Sequence, residues 1–417
     1  MDIYFVNDTS SGLNWGSQAT TRALRTLIRK EGGNIVETSY KRSLRIPNKR
    51  INNRTIRYSG RQIIDTIANL MNRDPVSAYR SFNTIGDIIP RSYEKFGKYA
   101  NMVIEEDLFQ KEVENIRSAD VVVINGEGLT YSSHDRCTRG LFFIAYLAKK
   151  YLNTKCIMTN HTLDITDNDL YHMVENIYPM LDGVVFREPV SAKKHKELCS
   201  NYRVSADPGF YYDKQVGEEE LYEDIQSDKV NIRPYSSQCF DPRRQYICVA
   251  GNSIYPTKSR YDVESYIHLC KRLQKVVPNI LLVVSAESDE ELLTPVAEQL
   301  GIDIVGLNTS IPHTISLVSN ASVYIGGRYH PTIFAAKGGV PIIPFRANTH
   351  KIEGVLELLN LDIDIFDPFK IKDDLDSIID LSEKYICDKS DFNHVGPRSK
   401  ELANLSKENT SYLNELT

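Results

Sequence analysis

Four short segments carry side chains that could hold an anion or move a proton. The sharpest is Tyr324-Ile325-Gly326-Gly327-Arg328-Tyr329-His330-Pro331-Thr332. Two glycines end an apolar run, and a guanidinium and an imidazole follow two residues apart. Arg328 can grip a phosphate or carboxylate with two parallel hydrogen bonds, and His330 can exchange a proton near neutral pH. A histidine alone would more often be structural; one sharing a strand-end turn with Gly-Gly-Arg points to function. In Val184-Val185-Phe186-Arg187-Glu188-Pro189 an arginine stands between a strand and a helix start, where its charge opposes the helix dipole unless an anion lies nearby. A pair with a carboxylate such as Glu188 is the plainer alternative. In Val123-Ile124-Asn125-Gly126-Glu127-Gly128 two glycines flank a carboxylate just past a buried strand, so Asn125 and Glu127 emerge together. Gly12-Leu13-Asn14-Trp15-Gly16-Ser17-Gln18 follows the first strand; Ser17 there could cap the next helix and leave N–H groups facing a ligand. Lys351, beyond the run Pro341 to Phe345, could add one more positive charge.

The elements that position these segments alternate. Asp2–Val6 reads as a strand, Ser17–Lys30 as a helix with Leu24, Leu27 and Ile28 on one face, and Asn34–Tyr40 as a second strand. Further strands are expected at 119–124, 155–159, 183–186 and 203–206. Helices are expected near 105–118, 138–152, 167–179 and 189–199. The run Val121-Val122-Val123-Ile124 is apolar throughout, as suits a parallel strand covered on both faces. Residues 211–243 break the pattern with Glu218-Glu219-Glu220 and two prolines, and read as an acidic linker or surface loop. Alternation restarts with strands expected at 245–250, 279–285, 302–305, 321–325 and 341–345. The fold class is therefore α/β: two Rossmann-like, doubly wound parallel-sheet domains facing a cleft, as in GT-B transferases. The expected domains are 1–212, on the acceptor side, and 244–417, on the donor side with C-terminal helices, joined by 213–243.

Composition narrows the field. The 417 residues are 41% hydrophobic and 25% charged, ordinary for a soluble globular chain of two or three domains. With 50 basic and 55 acidic residues the net charge is −5, which disfavours a general polyanion binder. No apolar run approaches the ~20 residues of a membrane span, and no secretory leader is visible at Met1-Asp2-Ile3-Tyr4. A cytoplasmic location is the default. Seven cysteines include no CxxC pair, so neither a disulfide framework nor a zinc knuckle is indicated. Asp167-Asn168-Asp169 reads as a helix start rather than a metal site, and no metal or GxSxG motif occurs. Lys41 to Arg61 holds eight basic residues and no acidic one. That segment is either a solvated loop or a patch for a membrane surface or phosphorylated acceptor; nucleic-acid binding is not supported.

Together the motifs resemble the polysaccharide pyruvyl transferase family. The resemblance rests on Asn14-Trp15-Gly16-Ser17-Gln18-Ala19, Asn125-Gly126-Glu127-Gly128, Phe186-Arg187-Glu188, Ala206-Asp207-Pro208 and Gly327-Arg328-Tyr329-His330 with Lys351, in the family's order. Ser17 stands where that pattern has an acidic residue. The family resemblance implies a GT-B-like enzyme moving a pyruvyl unit from phosphoenolpyruvate to two hydroxyls of a sugar, free or lipid-linked, with no further cofactor and no metal. It implies Arg187, Arg328, Tyr329, His330 and Lys351 on the donor. His330 would bind the phosphate or protonate the methylene carbon. Asn14, Ser17, Gln18, Asn125 and Glu127 would meet the acceptor, with Glu127 orienting it or acting as a base. It also allows peripheral contact at the inner membrane face through 41–61. Two alternatives are a glycosyltransferase with a nucleotide-sugar donor and a non-catalytic carbohydrate-binding protein.

Overall fold

The computed structural model describes residues 1–40, 89–133, 135–235, 240–254 and 262–416. The basic segment Lys41–Arg61 lies outside the described residues. Each half of the chain builds a six-stranded sheet. The first runs β2–β1–β3–β4–β5–β6, with β1 Asp2–Val6, β2 Asn34–Ser39, β3 Val121–Thr130, β4 Lys155–Leu163, β5 Gly183–Phe186 and β6 Tyr202–Val204. All of its neighbours pair in parallel. The second runs β12–β11–β8–β9–β10–β7, with β7 Ile232–Arg233, β8 Ile247–Asn252, β9 Ile280–Val283, β10 Asp303–Val305, β11 Val323–Gly327 and β12 Ile342–Pro344. Here only the edge strand β7 is antiparallel.

The apolar run of β3 shows why the sheets are doubly covered. Successive side chains of a strand point to opposite faces. Val122 and Ile124 join one hydrophobic cluster with Phe142, Met158 and Leu170, whereas Val121 and Val123 join another with Leu24 and Ile28. Both faces are buried, so neither set can be polar. Tyr412 and Leu413 close the second face, so the C-terminal end of the chain returns to pack on the first sheet.

The segment expected to be an acidic linker is instead part of the second domain. Glu218–Gln226 is a helix that buries Leu221 and Ile225, spaced one turn apart, and Ile232–Arg233 forms β7. Its three leading glutamates occupy the first helical turn, where the helix dipole favours negative charge. Only two apolar residues marked this helix, too few for a periodic pattern.

In each sheet the strand order reverses once, between β1 and β3 and between β8 and β11. In an open α/β sheet the crevice at such a reversal, beyond the C-terminal strand ends, is the place for a ligand. The Trp15–Lys30 helix sits between the two reversals. Its Trp15, Ala19 and Ala23 belong to the core of the second domain, and its Leu24 and Ile28 to that of the first.

Candidate active site

The loops after β1 and within the end of β3 hold a buried carboxylate. Glu127 has φ 45°, the left-handed region, which costs a side-chain-bearing residue on the order of 1–3 kcal/mol and persists only where its surroundings enforce it. Those surroundings are hydroxyls. Thr9 Oγ1 lies 2.5 Å from Oε1 and Ser17 donates to Oε2 at 2.9 Å. Thr21 Oγ1 is 2.6 Å from Thr9 Oγ1, and Asn125 Nδ2 donates to Thr21 Oγ1 at 3.1 Å. Each hydroxyl has one proton, so the short contacts define a chain, Asn125 to Thr21 to Thr9 to Glu127. Asn125 is wholly buried; it also accepts from Asn160 Nδ2 at 2.9 Å. It positions Glu127 and is closed to solvent. Among the described residues Oε2 has a single hydrogen-bond partner, Ser17, so this oxygen has room for another donor.

Asn14, not Ser17, caps the first helix. Its side chain accepts from Ser17 N at 2.9 Å, which places Ser17 in the first turn with its hydroxyl free to reach Glu127. Gln18 donates to Gly12 O at 2.7 Å and accepts from Arg22 at 3.0 Å, so it braces the loop. Pro331 is the third residue of the Tyr329–Lys337 helix, with Arg328 at the cap. Asp167 caps Asn168–Ile177 through Leu170 N at 2.8 Å.

Beside the Glu127 carboxylate, cations from both domains converge. Arg187, 1% exposed, follows β5; its Nε donates to Thr162 Oγ1 at 3.0 Å and Nη1 to Asp207 Oδ2 at 3.0 Å. Its guanidinium stacks on the ring of Tyr329 at 4.1 Å. The remaining nitrogen, Nη2, faces Gly128, where a Cβ would lie 3.3 Å from it and 3.9 Å from Lys351 Nζ. A glycine at 128 therefore leaves the space between two cations open. Lys351 is buried at the start of the Lys351–Leu358 helix and donates to Asn348 Oδ1 at 2.7 Å. Burial, then the charges of Arg187 and Arg328, push its ammonium well below the usual lysine range.

Arg328 caps the helix after β11 and is clamped by a residue that the sequence did not mark. Asp289 accepts from its Nε at 3.0 Å and its Nη2 at 2.6 Å, and Ser288 Oγ accepts from Nη2 at 2.6 Å. Asp289 in turn accepts from Ser285 N and Ala286 N at 2.9 and 3.1 Å. The available signal was Ser285-Ala286-Glu287-Ser288-Asp289, an acidic turn just beyond β9.

His330 lies against the first domain. Its ring rests on Gly16, and its Nε2 is 3.6 Å from Asp207 Oδ2. Burial works to raise the Asp207 carboxyl, yet His330, Arg187 and Thr20 together hold it far below the ordinary carboxylate range. Three buried polar atoms of these loops, Tyr329 Oη, His330 Nε2 and Thr349 Oγ1, make no hydrogen bond among the described residues. His161, by contrast, is core. It pairs with Tyr178 Oη at 2.8 Å, and burial drives its imidazole down to about 3, so it stays neutral.

The two domains meet through these same loops. His350 approaches Asp164 Oδ1 at 3.3 Å and Glu188 Oε1 at 3.5 Å, and Lys337 Nζ donates to Phe210 O at 2.7 Å. No described helix is long and apolar enough to cross a membrane.

Paired parallel-sheet domains with polar loops meeting at both strand-order reversals define a GT-B-like protein, and solved structures agree. HepE of Anabaena in complex with UDP-glucose superposes with a TM-score of 0.53 at 10% identity, covering 100% of both chains. A putative UDP-N-acetylglucosamine 2-epimerase of Listeria monocytogenes gives 0.51 at 11% identity, over 97% of this chain and 94% of that one. UDP-GlcNAc 2-epimerase of Neisseria meningitidis gives 0.50 at 12% identity, over 97% and 99%. These likenesses concern the fold. Comparison with curated sequences returned no match. The polysaccharide pyruvyl transferase family model matches residues 14–348, and the chain belongs to that family.

Proposed function

We propose that the protein transfers the pyruvyl unit of phosphoenolpyruvate to two hydroxyls of a sugar in a polysaccharide or its precursor, releasing inorganic phosphate. The observation that carries this reading is the convergence of Arg187 Nη2 and Lys351 Nζ on Gly128, with Arg328 close enough to depress Lys351. Cations held this close repel one another. An anion carrying both a phosphate and a carboxylate relieves that repulsion and uses the planar fork of Arg187 for the carboxylate or a phosphate edge.

The chemistry follows from the donor. His330 delivers a proton to the methylene carbon, which leaves a positive, oxocarbenium-like centre at the neighbouring carbon. The carboxylate and phosphate, fixed by Arg187, Arg328 and Lys351, stabilise that charge shift without reorganising. A sugar hydroxyl adds, oriented by Glu127 Oε2 and Ser17. Phosphate then leaves, a second hydroxyl closes the ketal, and the two hydroxyl protons end on the methyl carbon and the phosphate. The fourfold-supported Glu127 suits orientation: Oε1 is engaged by the hydroxyl chain and only Oε2 faces a newcomer.

The test is thermal unfolding with phosphoenolpyruvate, with UDP as a control. Ligand at about 100 times its dissociation constant adds roughly 2.7 kcal/mol of stability. The expected result is a rise with phosphoenolpyruvate that is lost in Lys351→Met, and, with a productive acceptor, a product heavier by pyruvate less water. A rise with UDP alone would overturn the donor and make the protein a glycosyltransferase.

A further inference from the structure

Asp207 belongs to none of the roles assigned above, and its surroundings are unusually complete. It follows β6 and caps the short turn Pro208–Phe210. Its side chain is wholly buried. Oδ1 accepts from Thr20 Oγ1 at 2.5 Å and from Gly209 N at 2.7 Å. Oδ2 accepts from Arg187 Nη1 at 3.0 Å and looks toward His330 Nε2 at 3.6 Å. Every partner is a donor, so the carboxylate acts only as an acceptor. One lone pair of Oδ2 is left, and beside it the buried Nε2 of His330 makes no hydrogen bond among the described residues.

We infer that Asp207 is a positioning residue that joins the donor-binding arginine to the proton-delivering histidine. A small shift of the imidazole brings Nε2–H onto Oδ2. That fixes the neutral ring in the tautomer protonated at Nε2, because the carboxylate can only accept. The nitrogen that exchanges the catalytic proton is then Nδ1, on the side of the ring that borders Gly16. A Cβ at residue 16 would come within 2.7 Å of that nitrogen, so only glycine leaves it open. The step balances simply. Nδ1–H of the imidazolium gives its proton to the methylene carbon of phosphoenolpyruvate, whose double-bond electrons form the new C–H bond. The imidazole left behind is neutral, with Nε2–H on Asp207, and it recovers its proton from the attacking hydroxyl. Because the same Oδ2 holds Arg187, donor grip and proton delivery are set by one carboxylate.

The inference rests on the pyruvyl-transfer reading, but its first test does not. In protein labelled with 15N-histidine, with the His330 signals assigned by their loss in His330→Gln, neutral His330 should show a protonated Nε2 and a bare Nδ1. A protonated Nδ1 overturns the proposal whatever the enzyme's substrate proves to be. The second test is Asp207→Asn. Thr20 and Gly209 hold the amide oxygen, so the amide N–H group faces His330 and donates to Nε2, which forces the proton onto Nδ1 of the neutral ring. We expect the 15N pattern to invert, with kcat down at least ~100-fold, and KM for phosphoenolpyruvate to rise as well, because the amide nitrogen no longer accepts from Arg187 Nη1. A folded Asp207→Asn variant with wild-type kcat, or one whose loss lies wholly in KM, overturns it. Should that variant fail to fold, the wild-type tautomer still decides. If the wild type shows the expected tautomer but transfers no pyruvyl group, the function fails and the Asp207–His330 pairing stands.

Discussion

Trp15 of the first helix donates its indole N–H to the carbonyl of Val284, just beyond β9, across 3.0 Å. The two residues are 269 positions apart in the chain. The ring is wholly buried, packs on Phe334 and counts in the core of the second domain. A residue that sequence places beside the acceptor turn is thus the peg that joins the domains. Trp15→Phe keeps a ring there but leaves the Val284 carbonyl without its donor. A buried acceptor so orphaned costs about 1–3 kcal/mol. Urea unfolding should show that loss; an unchanged midpoint would mean that the bond contributes nothing.

Arg187 and Lys351 should respond oppositely when their charges are removed. Arg187→Met strands the buried Asp207 carboxylate, and losing one partner of a buried pair costs about 3–5 kcal/mol. Lys351 is pressed down by burial and repelled by Arg187 and Arg328, and it donates to the neutral Asn348. Lys351→Met should leave the thermal midpoint unchanged or higher, while pyruvyl transfer falls by at least ~100-fold. Equal destabilisation by both substitutions would show that Lys351 serves the fold and not an anion.

The contrast between Glu127 and Asp289 shows how much was legible. Glu127 stands between glycines directly after a buried strand, and strand ends are where a parallel sheet puts its ligand, so type and place pointed the same way. Its partners Thr9 and Thr21 carry no such mark: a threonine in a turn or on a helix becomes informative only when folding brings it to a carboxylate from 106 or 118 residues away. Asp289 sits in the first turn of a helix, as countless aspartates do, and only the strand order sets it against Arg328. The alternation of elements was readable because burial on both faces imposes it on β3. The helix Glu218–Gln226 was not, because nine residues with three buried positions leave little period to see.

His350 makes the domain contact sensitive to pH. It lies between Asp164 and Glu188 of the first domain, with Ser191 Oγ 3.0 Å from Nε2 and Lys194 Nζ 3.1 Å from Nδ1. Burial lowers its imidazole, but Asp164 and Glu188 outweigh that and raise it to about 9. The folded value exceeds the unfolded one near 6.5, so the folded protein holds this proton more tightly. The contribution, on the order of 3 kcal/mol, is complete below about pH 6.5 and is lost as the pH rises through about 9. The stability difference between wild type and His350→Gln should therefore be largest at pH 6 and shrink toward pH 9.5. A difference that stays constant across that range would remove the charge from the account.

Gly16 tests how tightly His330 is held against the first domain. The residue lies in the first turn of the Trp15–Lys30 helix with ordinary backbone angles, so alanine is acceptable to the backbone and favoured over glycine by up to ~1 kcal/mol in a helix. A Cβ built there, however, would stand 2.5 Å from His330 Cβ and 2.7 Å from Nδ1. Such distances force the imidazole or the helix to move. Neither can move freely, because Trp15 is pinned to Val284 on one side and the His330 helix is packed on β11 and β12 on the other. Overpacking at such distances costs about 1–3 kcal/mol and the helix preference returns at most ~1 kcal/mol of it, so Gly16→Ala should fold with a modestly lowered thermal midpoint. Turnover should still drop at least ~10-fold, since a displacement of about 1 Å at a reacting group costs up to two orders of magnitude. The paired readout separates the cases. A large fall in the midpoint would mean that the contact is structural packing. Full turnover with a modestly lowered midpoint would mean that His330 does not react from the position it holds against Gly16.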